Sequence, residues 1–191
     1  MWGQVYEHLV LPFQQSRGPA WEVARGAAIG MFVGITPTMG VQMYVVALIW
    51  LVMRYVFRFR FNLPIGVAMV WISNPVTFIP MYYGYLIVGQ WVLGWWEGGS
   101  VVTTYEHFQN TMMALSEARD ASFLEKVLTG LSVIVIEFGW PMVIGSIVFA
   151  VPITIVTYPV TNVVMVKYRQ KVAEQLGMSY EEWKQKYVRL D

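Results

Sequence analysis

The residues that could do chemistry are few, and they sit inside long uncharged runs. Thr36, Thr38 and Gln42 surround Pro37 and Gly40 in the stretch GITPTMGVQ, midway along the 28 residues Gly26–Met53, which carry no charge. Asn74 and Thr77 flank Pro75 in a second uncharged run, Phe61–Trp96, and Glu137 stands directly before a third, Phe138–Val166. Proline in an apolar helix removes a donor and pushes the preceding residue out of helical geometry. Each new helix end then frees about four backbone groups. Hydroxyls and amides at such a break have two uses. They cap the broken ends, or they join the free backbone amides in holding a polar ligand, as in carriers with discontinuous helices. Asn74-Pro75 reads as an N-cap followed by the first position of a new helix. If the breaks at 36–42 and 74–77 face each other, two positive helix ends suit an anion such as a phosphate or carboxylate. Thr36, Thr38, Gln42, Asn74, Thr77 and Glu137 are therefore the candidate ligand-binding residues. Glu137 has a second reading. At membrane depth a carboxylate marks an ion or substrate path, but residues 138–166 already suffice to span, which favours a turn at the outer interface beside Trp140.

Other chemistries find no support. The chain has no cysteine, and His8 and His107 stand far apart without metal-ligand spacing. No nucleophile, base and orienting-acid set is legible, so the expectation is a non-enzyme with no metal and no cofactor. A net charge of +1 without a basic block speaks against nucleic acid as a partner.

The elements that must position these residues follow from charge segregation. Of 191 residues 57% are hydrophobic and 13% charged, with a mean hydropathy of +0.49; soluble domains carry about 25% charged residues. Each of the three uncharged runs exceeds the roughly 20 residues that cross a hydrocarbon core. An all-α integral membrane protein is expected, with membrane lipids as its first partners. Arg17 and Arg25 precede the first run, Arg54, Arg58 and Arg60 follow it, and Lys167, Arg169 and Lys171 follow the third. The 97–126 loop is acidic instead, with Glu97, Glu106, Glu117, Asp120 and Glu125. Positive segments face the cytoplasm, so the first run enters from the cytoplasm and returns to it. Legs of about 12 to 14 residues give roughly 20 Å of helix, too short for two spans. The first run is read as a re-entrant helical hairpin with the TPT stretch at its tip; the alternative is one long kinked span with the arginine linker outside.

The expected organisation is an interfacial segment at 1–25 and a membrane domain at 26–166, then a cytoplasmic C-terminal helix at 167–191. The membrane domain divides into a re-entrant hairpin (26–53), a Pro-broken span (61–96), an outer loop with an amphipathic helix carrying Phe108, Met112 and Leu115 (97–126), and a second broken span (127–166) interrupted near Pro141, Pro152 and Pro159. Both termini are cytoplasmic in this multi-pass arrangement. Gly26, Gly30 and Gly34 form one flat helix-packing face at i, i+4, i+8, for internal packing or for a homo-oligomer or larger membrane complex. Ser179 and Glu182 have capping-box spacing before a short helix whose Lys184, Lys186 and Arg189 suit an anionic lipid surface.

The blocks ARGAAIGMFVGITPTMGVQM, NLPIGVAMVWISNPVTFIP and GWPMVIGSIVFAV together resemble domain-of-unknown-function family 2062, from the bacterial inner (cytoplasmic) membrane. The resemblance covers roughly residues 18–160. It implies a fold and a bacterial inner-membrane location more than an activity. Two function classes stand side by side: a carrier or translocation factor for a small polar or lipid-linked anion, and a non-catalytic scaffold or accessory subunit of a larger membrane complex.

Overall fold

The computed structural model describes residues 11–38, 41–73, 77–97, 109–110, 113 and 139–188, which are helical or connect helices. The expected amphipathic helix with Phe108, Met112 and Leu115 lies outside the described residues, as do Asn74, Glu137, His8, His107 and Arg189. In order, the long or well-defined elements are α1 (Leu11–Gln15), α2 (Ala20–Ile35), α3 (Gln42–Tyr55), α4 (Leu63–Met69) continued by a 3-10 turn (Val70–Ile72), α5 (Phe78–Glu97), α6 (Gly139–Gln175) and α7 (Tyr180–Tyr187).

Helix α2 starts directly after Gly18-Pro19 and stops where Thr36 turns extended (φ −70°, ψ 150°) ahead of Pro37, the conformation proline imposes on its predecessor. Helix α3 then doubles back. Its return is fixed at the open end: Arg25 Nη1 donates to the Arg60 carbonyl at 3.4 Å, and the Asn62 N–H donates to the Glu22 carbonyl at 3.0 Å. Arg25 is also sandwiched between Trp21 and Phe59, 4.4 and 4.2 Å from the ring centroids. The arginine linker therefore lies beside the start of α2, and α2 and α3 are the two legs of a hairpin. Within that linker Arg58 takes φ +52°.

Asn62 does three jobs in the NLP block. Its Oδ1 accepts from the Ile65 N–H at 3.1 Å, capping α4, while Pro64 occupies the first turn. Its Nδ2 donates to Ser16 Oγ at 3.1 Å, and its backbone is held by Glu22 as above. So anchored, α4 climbs parallel to α2 along the glycine face. A side chain at Gly26 would strike the Asn62 carbonyl, one at Gly30 the Gly66 carbonyl, and one at Gly34 the Val70 Cα at 3.1 Å. The stripe is covered by its own chain, so of the two readings of these glycines internal packing accounts for the contact.

Helix α6 runs antiparallel to α2: Val23 and Ala27 pack with Met165 at one end, Ile35 with Met142 and Ala150 at the other. It also crosses α5 at backbone contact, Gly89 against Pro141 and Gly145 against Tyr85. Only 17% of its most apolar 18-residue window is buried, and Ile147, Val148, Val151, Ile155 and Val164 are exposed on it. Among the described residues α6 is the one helix long and apolar enough to cross a membrane.

Two boundaries differ from the expectations. The 127–166 segment is not broken at Pro141, Pro152 or Pro159 where it is described, because α6 is continuous through all three. Pro141 sits in the first turn, where no helical donor is needed. Pro152 and Pro159 each cost one intrahelical bond without ending the helix. The C-terminal region is also two helices rather than one: α6 continues to Gln175, Gly177 reverses the chain at φ +68°, and α7 follows.

Candidate functional site: the junction of the two breaks

The ends of four elements meet where α2 and the 3-10 turn stop and α3 and α5 begin. Thr36 Oγ1 and Thr38 Oγ1 both donate to the Val33 carbonyl, at 2.8 and 3.3 Å, closing the end of α2. Thr77 Oγ1 closes the 3-10 turn by donating to the Ile72 carbonyl at 2.8 Å. Gln42, buried at the start of α3, accepts from Ser73 Oγ at 2.9 Å, which joins the first break to the second. Tyr82, buried one turn into α5, donates to the Thr36 carbonyl at 3.4 Å and also hydrogen-bonds Gln42. The breaks thus face each other through Gln42, Ser73, Thr36 and Tyr82.

Of the residues singled out in the sequence, Thr36, Thr38, Gln42 and Thr77 lie at this junction. Asn74 and Glu137 lie outside the described residues. Ser73 and Tyr82 were not singled out. Ser73 immediately precedes the Asn-Pro pair, and a hydroxyl beside a proline break is a signal that could have been used. Tyr82 gives no such signal, since a tyrosine on an apolar helix reads as packing.

Beside the junction an apolar cavity of about 340 Å³ opens on the surface. Ile35 and Ile72, the last residues before each break, form one wall; Gly84 and Tyr85 on α5 and Phe149 and Ile153 on α6 form the others. Tyr85 packs on Tyr82 and Phe149, with ring centroids 5.7 and 5.6 Å apart. A Cβ on Gly84 would meet nothing within 4 Å, so the groove is open there because the side chain is missing. The space is apolar and lies beside the residues that end α2 and the 3-10 turn.

The fold and site define a class: among the described residues an all-helical protein with one helix long and apolar enough to cross a membrane, and a doubled-back hairpin whose tip meets a second helix break. The chain belongs to the family described as an uncharacterized protein conserved in bacteria (DUF2062), whose model matches residues 4–174. Neither the curated proteins nor the solved structures contain a match to it.

Proposed function

We propose that this protein is a polytopic inner-membrane carrier or translocation factor for a lipid-linked polar group, in which the α2–α3 hairpin is re-entrant from the cytoplasmic side. The observation that carries this reading is the apolar groove walled by Ile35 and Ile72, which places a hydrocarbon-sized space against both breaks. The lipid chain lies in the groove, and its anionic head replaces the in-chain partners of Gln42, Ser73 and Thr36. The positive ends of α3 and α5 favour that charge. Termini and arginine linker face the cytoplasm.

The test is native mass spectrometry of protein purified in mild detergent, wild type beside Gly84→Phe. The reading expects a bound anionic lipid in the wild type and its loss when the phenylalanine fills the groove. Equal lipid occupancy in both would contradict it.

A second reading has its own support. Thr36, Thr38, Thr77, Ser73 and Gln42 all have partners within the chain, so the breaks are closed without a ligand. That suits a scaffold or accessory subunit whose exposed apolar α6 face docks on a membrane partner. A stoichiometric protein partner, in place of a lipid, is the result it expects from the same purification.

A further inference from the structure

At the opposite end of α2, about 24 Å from the breaks at 1.5 Å per residue, a second cavity of about 560 Å³ lies between the α1–α2 connection, the tail of α6 and α7. Arg169 of α6 forms part of its wall and is 2% exposed. Its Nη2 donates to the Ser16 carbonyl at 3.0 Å and to the Gly18 carbonyl at 2.8 Å. Those two bonds use both Nη2 hydrogens and leave the three donors of Nη1 and Nε. Trp183 of α7 covers the guanidinium, 5.6 Å from its ring centroid.

A buried cation normally has a counter-charge. Among the described residues Arg169 has none: the ion pair found nearby joins Lys184 to Glu181 on exposed α7. The two carbonyls orient the guanidinium without neutralising it. Arg17 lines the same cavity from the α1–α2 connection, and no carboxylate lines it among the described residues. Two guanidiniums from separate elements match the several oxygens of a phosphate better than one planar carboxylate, because each fork can take its own pair of oxygens. The cavity exceeds a bare phosphate, and Trp183, Val172 and Leu176 give the remaining space an apolar wall.

We propose that this cavity is a binding site for a phosphate ester, held by Arg169 and Arg17 with its organic part against Trp183. The ester is either a soluble phosphomonoester or the headgroup of an anionic phospholipid, since the site stands where the uncharged run of α6 gives way to Lys167–Lys171. This proposal does not depend on the groove beside the breaks.

The test uses the full chain in two arms, both calorimetric titrations in detergent: one with glycerol phosphate, the other with short-chain phosphatidic acid against short-chain phosphatidylcholine. Wild type is compared with Arg17→Gln, which leaves the Ser16 and Gly18 contacts intact, and with Arg169→Lys, which keeps the charge but loses the fork. Saturable binding in the first arm, weakened at least tenfold by both substitutions, identifies a soluble ester. The same loss confined to phosphatidic acid identifies a lipid headgroup. Absence of binding in both arms, or binding that neither substitution weakens, overturns the proposal. Gly84→Phe is expected to leave the glycerol phosphate arm unchanged, which separates this site from the groove.

Discussion

Ser73 donates its hydroxyl to Gln42 Oε1 at 2.9 Å, and so the residue that ends one helical segment holds the residue that begins another, 31 positions away. The same Ser73 hydroxyl also lies 3.1 Å from the Val70 carbonyl. Substituting Gln42 therefore removes two bonds, to Ser73 and to Tyr82, while each partner keeps a contact to a backbone carbonyl. Gln42→Leu is expected to lower stability by about 1–3 kcal/mol, the net worth of two such bonds. Thermal unfolding in detergent, followed by circular dichroism, measures it. A loss several times larger would mean that Gln42 organises the junction beyond these contacts.

The glycine face makes a sharper contrast. Gly30→Ala drives a methyl into the Gly66 backbone carbonyl, which cannot move as a flexible side chain would. Overpacking of this kind costs about 1–3 kcal/mol. Gly84→Ala, with open space around it, is expected to be neutral or to stabilise by up to about 1 kcal/mol through helix propensity. Detergent melting temperatures of the two variants should move in opposite directions or differ by several degrees.

Asn62→Ala loses the cap of α4 and the link to Ser16 together. A cost of about 1–2 kcal/mol follows from the cap. Asn62→Asp should recover much of it, because a carboxylate also accepts from the Ile65 N–H. Chemical unfolding midpoints of the two variants check the order.

Much of this architecture was legible in the sequence, and the reasons are particular. The break at Thr36-Pro37 is local chemistry, so it could be placed to the residue; so could the Ser179 cap. Pro152 and Pro159 misled because their effect depends on surroundings: in an apolar helix held along α2 and α5, the helix persists. The crossing of Gly89 and Gly145 with Pro141 and Tyr85 needs two segments to be aligned in space. Single-segment periodicity does not give that alignment. In the sequence Arg169 counts only as one of the cations that mark a cytoplasmic flank; the fold shows it turned inward onto Ser16 and Gly18.

The capping box of α7 carries a pH dependence. The Ser179 backbone N–H donates to Glu182 Oε2 at 2.8 Å, and this bond, with the Ser179 side chain, holds the Glu182 carboxyl below its ordinary value of 4.5. A depressed folded-state pKa means the contribution is fully present above the unfolded value and is lost as pH falls through the folded one. Amide protection in Tyr180–Tyr187, measured relative to the intrinsic exchange rate at each pH, should therefore fall below about pH 4.5. Ser179→Ala should flatten that response.

The proposed re-entrant hairpin leaves the membrane on the side it entered, and the absence of cysteine makes this directly testable. A single cysteine at exposed Arg58, compared with one at exposed Lys171, can be labelled by a membrane-impermeant maleimide in right-side-out and inside-out vesicles. The account predicts that both positions react only in inside-out vesicles, where the cytoplasmic face is accessible. Labelling of the Arg58 position in right-side-out vesicles would contradict it, because α2 and α3 would then cross the membrane as one kinked span.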